Sequence, residues 1–220
     1  MLLGVGSFNP LTLSPKLWLD ASDTTTITSS GGLVSQINDK SGNGKNATSS
    51  GSDRPTTGAS TINGRNVLDF TAHKLTISAP TNAATCSFYV VLKTSDVKHV
   101  FLFDAVGGGH FNWAADSTNA VSPPSAGSGT PTYRKNGSGV TYSTRAAIAT
   151  GVATGATLQL TSESVNLSGW SATNLFLGGY TTSGFDLTCQ FCELLLFASN
   201  LTSAQRGDVE AYLKAKWGTP

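Results

Sequence analysis

The sequence predicts an all-β protein: a two-sheet antiparallel jelly-roll sandwich with one short C-terminal helix. Three observations lead there. Short alternating or β-branched runs recur between residues 17 and 197, each bounded by Gly, Asn, Ser or Pro. Helical periodicity is nearly absent before residue 200. The stretch 193–218, ELLLFASNLTSAQRGDVEAYLKAKWG, then runs strand, turn, helix, stop.

In chain order, Leu17 and Leu19 alternate with Trp18 and Asp20, as on a strand. LVSQIND starts as a strand and opens into the Gly/Asn/Ser loop NDKSGNGKN (38–46). Asn63-Gly64 is a strong turn dipeptide ahead of the strand RNVLDF. KLTIS (74–78) alternates again. CSFYVVLK (86–93) has the composition of a central strand. VKHVFLFDAV (97–106) is expected to pair with it across a turn at 94–96. HFNWAAD, after the glycines 107–109, reads as a further strand. TYRKNGSGVTYS (132–143) reads as a hairpin turning at Asn136-Gly137. RAAIATGVA and ATLQLTS are expected as two strands separated by Gly155, and NLFLGGY and TCQFCELLLF as the last two. The closing helix has Thr202 as N-cap with Gln205 completing a capping box. Val209, Tyr212, Leu213 and Trp217 share its apolar face, and Gly218 stops it.

Composition narrows the functional classes. The 220 residues fit one domain, 16–220, preceded by an N-terminal arm, 1–15. Charged residues make up 12%, about half the usual share. Lys and Arg (14) nearly balance Asp and Glu (13), and the basic residues are scattered, so no phosphate-binding face is expected. Residues 1–15 lack the basic start and unbroken apolar run of a signal peptide, and no stretch has the length of a membrane span. The three cysteines do not make a disulfide framework. Cys189 and Cys192 match C-x-x-C, but residues i and i+3 of a strand point to opposite faces, so buried thiols are expected rather than a metal or redox pair.

The runs LWLDASD (17–23), DKSGNGKN (39–46), ELLLFASNL (193–201) and VEAYLKAKWG (209–218) together resemble the concanavalin A-like lectin/glucanase superfamily, in its laminin-G-like branch. The resemblance spans nearly the whole chain. It implies two curved antiparallel sheets, one concave, with the final helix near the N-terminal strand. It also implies ligands at the concave face or its rim, with calcium in some relatives. Such motifs specify fold far better than function.

Catalysis is not expected. The glucanase members carry an E-x-D-x-E strand with paired carboxylates about 5 Å apart, and this chain has none. Asp20 with Asp23 belongs to a structural motif, Asp208 with Glu210 to the closing helix, and Glu193 stands alone in its strand as a sheet-anchoring acid. His73, His99 and His110 have no nucleophile motif beside them. No cofactor is expected, with calcium left open: Asp39, Asn43 and Asn46 offer oxygens in one loop, though such residues ordinarily bond their own loop backbone. Glycan binding would use an aromatic platform beside amides and carboxylates. The candidates are Trp113, Tyr133 and Tyr180 with Asn112 and Asp116, whereas Trp18 and Trp217 read as core.

A non-catalytic structural or interaction protein is therefore expected, and the leading version is a phage virion component. It would be capsid-decorating or tail-associated and displayed on the virion surface. Its partners would be other virion proteins and host glycans, and it would form a symmetric homo-oligomer such as a trimer. Leu2, Leu3, Val5 and Phe8 would form the docking arm. The alternatives are a lectin module of an extracellular or cell-surface adhesin and, behind it, a glycosidase.

Overall fold

The computed structural model describes residues 8–79, 81–97, 100–105, 109–113, 131–168, 174–179 and 186–220; for 100–105, 109–113, 145 and 174 it describes the backbone alone. The strands are β1 (Leu17–Asp20), β2 (Ile27–Ser30), β3 (Leu33–Ile37), β4 (Ala47–Thr48), β5 (Thr56–Ile62), β6 (Arg65–Phe70), β7 (Leu75–Ser78), β8 (Cys86–Lys93), β9 (Val100–Ala105), β10 (Gly109–Trp113), β11 (Thr132–Lys135) and β12 (Ser138–Val140). Helix α1 (Arg145–Val152) follows, then β13 (Thr157–Val165), β14 (Asn174–Leu177), β15 (Cys189–Phe197) and helix α2 (Ser203–Trp217).

The strands hydrogen-bond in the order β10-β9-β14-β7-β4-β3-β5-β6-β15-β8-β13-β11-β12, with β1 added to β15 and β2 to β3. This path folds over on itself. Leu75, Ile77, Leu175 and Leu177 from β7 and β14 share one apolar cluster with Phe88, Val90, Leu92 and Leu160 from β8 and β13. The result is an antiparallel β-sandwich. A second cluster lies on the outer face of the β8–β15 layer, where Val209, Leu213 and Trp217 of α2 meet Trp18, Tyr89, Leu195 and Phe197.

Strand β15 joins the two cores. It pairs with β8 along one edge and with β6 and then β1 along the other. Simple alternation from Phe191 would turn Glu193 into the sandwich core. A bulge between Phe191 and Glu193 prevents this. Phe191, Leu194 and Leu196 face the sandwich core, while Cys192 and Leu195 face α2. Glu193 faces α2 as well, since it bonds Trp217 and Tyr212 there. Cys189 lies in the first cluster and Cys192 in the second, on opposite faces as the strand geometry predicts. Cys86, Cys189 and Cys192 are free and buried; burial pushes the Cys86 thiol up to about 12 and raises the other two as well.

Two sequence expectations are corrected. Strand β9 does not pair with β8; it lies between β10 and β14. Both edges of β8 are taken, by β13 and β15, so the chain after β8 crosses to the facing layer. RAAIATGV is helix α1, not a strand. Thr144 caps it by accepting from the Ala147 N–H, its alanines favour helix, and Ile148, Ala149 and Val152 bury one side in the core. The hairpin at Asn136-Gly137 forms as predicted, as does α2 with its reciprocal Thr202–Gln205 capping box and Gly218 at φ 68°.

The position of α2 is locked by one buried carboxylate. Glu193 Oε1 accepts from Trp18 Nε1 (2.7 Å) and Tyr212 Oη (2.9 Å). Its Oε2 accepts from Trp217 Nε1 (2.7 Å) and faces Lys216 Nζ at 2.8 Å. The same ammonium reaches Asp20 Oδ1 at 2.8 Å, and Lys40 bridges Asp20 and Asp23 at 2.9 and 2.8 Å. Burial and the Asp20 charge raise the Glu193 pKa, while the Lys216 charge and the donated hydrogen bonds oppose them. For Asp20, burial also acts upward, but Lys216, Ser22 and Lys40 outweigh it and hold its carboxyl below the usual range.

Truncating Glu193→Ala strands two indole N–H groups, a phenol and an ammonium, and is expected to cost about 3–5 kcal/mol. Urea unfolding measures it, and a loss below about 1 kcal/mol would mean the lock is dispensable. Asp20, with its lowered folded pKa, stabilises above the ordinary carboxyl value of 3.8, and that contribution is lost as pH falls through the folded value. Glu193, with a raised pKa, has the opposite slope. Urea midpoints between pH 6 and 2.5 should therefore fall less steeply for Asp20→Asn than for the unmodified protein.

Candidate functional site

The β11–β12 hairpin builds a groove at the end of the strand path. Asn136 and Gly137 both take positive φ, 51° and 78°, as a two-residue turn requires. Tyr133 then pairs with Val140 on one side and Ser162 of β13 on the other. Beside this hairpin lies a cavity of about 530 Å³ whose lining includes Thr132, Tyr133, Arg134, Thr141, Tyr142 and Glu163. That volume falls within the range of ligand sites.

The Tyr133 ring is 5% exposed and meets Tyr142 edge-on, with centroids 5.6 Å apart. Burial raises the pKa of both phenols, and for Tyr133 the Tyr142 charge adds to it. Tyr142 is half-buried and is the accessible ring of the pair. Glu163 is held by Arg206 of α2, with Nη1 3.2 Å from both oxygens, and Arg134 Nε stands 3.9 Å away. Arg134 Nη1 also donates to the Gly137 carbonyl at 2.9 Å. The groove thus offers an aromatic face, two threonine hydroxyls and a fixed guanidinium. It suits recognition of a hydroxyl-rich ligand.

The other sequence candidates divide. Asn112 and Trp113 end β10, opposite Phe101 and Val100, and their side chains lie outside the described residues. Asp116 and Tyr180 lie outside them altogether. Helix α1 packs against β10 and is tied to the hairpin by Lys135 Nζ on the Gly151 carbonyl at 3.1 Å, so the backbones carrying Trp113 and Tyr133 flank one helix. Sequence reading overlooked Tyr142. The Tyr133–Val140 register was its available signal, because Tyr142 is two residues beyond Val140 and so on the same side of the hairpin.

Asp39 braces its loop. Oδ1 accepts from the Trp18 and Ser41 amides at 3.0 and 2.9 Å, and Oδ2 from the Ser41 hydroxyl and Lys45 amide at 2.7 and 3.0 Å. Asn46 Oδ1 accepts from the Asp39 amide, and Asn43 donates to the Pro15 carbonyl. These three residues point at protein donors and carbonyls rather than converging on an ion. Among the described residues no group of three or more His, Cys, Asp or Glu gathers into a metal site. Of the expected docking arm, Leu2, Leu3 and Val5 lie outside the described residues. Phe8 packs on Tyr212 of its own chain, centroids 5.9 Å apart, and Leu13 joins the same cluster. His73 Nδ1 accepts from the Thr71 amide, His99 lies outside the described residues, and His110 is described in backbone only.

The protein is, by its fold, a β-sandwich carrying an edge groove. No family model and no curated protein matches the chain. Among solved structures it is similar to the botulinum neurotoxin serotype D/C VPI 5993 binding domain, at 12% identity and a TM-score of 0.43. The match covers 95% of this chain and 56% of that one, so this chain spans about half its length. A likeness of this degree assigns neither family nor activity.

With its oxygens committed to four donors, Asp39 is expected to stabilise the loop equally with and without calcium. Asp39→Ala should lower the melting temperature by the same amount in calcium and in chelator; a loss confined to calcium would make the loop an ion site.

Proposed function

We propose that the chain is a non-catalytic interaction module that binds glycans through the Tyr142 groove and is displayed on an assembled particle such as a phage virion. The observation carrying the binding reading is the groove itself. An accessible ring lies beside Arg134 and the hydroxyls of Thr132 and Thr141. An apolar sugar face stacks on such a ring while its hydroxyls need polar partners close by. The commitments of three buried acids support a non-catalytic role: Asp20 and Glu193 are spent on the α2 lock, and Glu163 on Arg206.

Display on a particle is supported by the low charge content and by the apolar residues Leu2, Leu3 and Val5 ahead of the packed Phe8. Because Pro10 is buried and Phe8 and Leu13 pack on α2, a truncation that spares the fold stops at residue 7. The full chain is expected to sediment as a closed oligomer and the 2–7 deletion as a monomer of unchanged melting temperature. A monomeric full chain would count against the assembly reading.

Binding is tested on a glycan array. Tyr142→Ala is expected to weaken the glycans that score by at least about tenfold, the scale of one lost ring contact of about 1.4 kcal/mol, and to lower the melting temperature as well because the half-buried ring packs on the core; Tyr142→Phe, which keeps that packing, is expected to hold the melting temperature and most of the binding. Unchanged affinity would move recognition away from this groove.

A further inference from the structure

Helix α1 carries a glycine that its own backbone does not require. Gly151 sits in the last turn of RAAIATGV, where alanine favours helix and glycine disfavours it. A glycine near a helix end often serves as a left-handed cap. Gly151 is not among the residues of positive φ, and the C-cap is Ala153. Backbone conformation therefore leaves the residue open, and space decides it.

That space is taken by the groove ring. A methyl group at Gly151 would stand 2.8 Å from both Cε1 and Oη of Tyr142 and 3.1 Å from its Cζ, inside the roughly 3.5–4.0 Å of an ordinary carbon contact. The bare Cα lets the phenol end of Tyr142 rest against the helix. The ring also meets Tyr133 edge-on, so it is held by two supports, one on β11 and one on α1. The same turn of α1 is tied to the hairpin, because Lys135 Nζ donates to the Gly151 carbonyl at 3.1 Å. The three atoms that a methyl would meet first all lie at the far end of the Tyr142 side chain. A methyl would therefore displace the ring rather than the helix. Gly207 of α2 is the contrast: it is helical and exposed, and a methyl there would meet nothing.

We infer that Gly151 is the positioning residue of the groove: by lacking a side chain, it fixes where the Tyr142 ring stands beside Thr132, Thr141 and Arg134. Gly151 does not line the cavity and acts through Tyr142. Its consequence for recognition rests on the glycan-binding reading of the groove.

The test is Gly151→Ala in the full chain, with Gly207→Ala as control. Tyrosine rings are isotope-labelled and read in a carbon–proton correlation spectrum, with Tyr142 assigned through Tyr142→Phe. Gly151→Ala is expected to shift the Tyr142 ring signals and to leave those of Tyr89 and Tyr212 in place; unmoved Tyr142 signals would overturn the inference. Melting temperatures give a second readout. Gly207→Ala is expected to raise the melting temperature, as helix propensity dictates. Gly151→Ala is expected to fail to raise it in the unmodified chain and to raise it in Tyr142→Ala, where the ring is gone. Equal shifts in the two backgrounds would overturn the inference too. On the glycan array, Gly151→Ala is expected to weaken the glycans that score by about threefold to tenfold, up to the loss of the whole ring contact, and Gly207→Ala to leave them unchanged. If Tyr142→Ala weakens those glycans and Gly151→Ala does not, the groove stands and the positioning role falls. If neither weakens them, the groove reading falls, and the ring signals and melting temperatures decide Gly151 by themselves.

Discussion

The Glu193 carboxylate is the constraint on which the rest of the molecule is arranged. Removing a charged carboxylate from water costs several kcal/mol even after relaxation, and here the group is fully buried. Only a complete set of donors makes that tolerable. They come from two separate elements, Trp18 from β1 and Tyr212, Lys216 and Trp217 from α2, and the bulge in β15 aims the acid at them. None of these positions is free to move alone. The first strand, the last strand and the closing helix are thereby fixed to one another, although β1 and α2 stand at opposite ends of the sequence.

That lock reaches the groove. Arg206, on the first turns of α2, holds Glu163 of β13, and Glu210, one turn on, accepts from the Thr161 hydroxyl. The groove wall is thus braced from behind by the helix that Glu193 positions. The closing helix touches no proposed ligand, yet it sets where a charged side chain of the groove stands. Rigid support of this kind keeps a binding surface preorganised and lowers the ordering cost of association.

Much of this was legible in sequence where local chemistry and burial agree. Thr202, Gln205, Val209, Leu213 and Gly218 each carry a signal of α2 that needs no partner, and Cys189 and Cys192 fall on opposite faces because strand period dictates it. Asn136-Gly137 likewise states its own turn. What was not legible depends on long-range pairing. The partner of β9 is decided by β13 and β15 having filled both edges of β8. Strand β5, TTGASTI, lacks apolar alternation and is held by β6. Helix α1 reads equally as a buried strand until its core contacts are known. That Tyr133 is the buried ring of its pair with Tyr142 depends on the β11–β13 register, which no local pattern encodes.

The distribution of charge bears on the kind of recognition this surface supports. Charged residues are few, and many of them face inward or face each other: Asp20, Asp23, Lys40, Lys216 and Glu193 in the α2 lock, Glu163 with Arg206, and Asp39 in its loop. Little unbalanced charge remains to steer a partner over distance, so association would not gain the on-rate that complementary fields supply. Discrimination then rests on short-range terms, which are ring stacking and hydrogen bonds of fixed direction. Those terms suit an uncharged ligand rich in hydroxyls, and they are weak one at a time. In the proposed assembly, several copies presented together would compensate for that weakness, because linking modest sites raises overall avidity without any new contact.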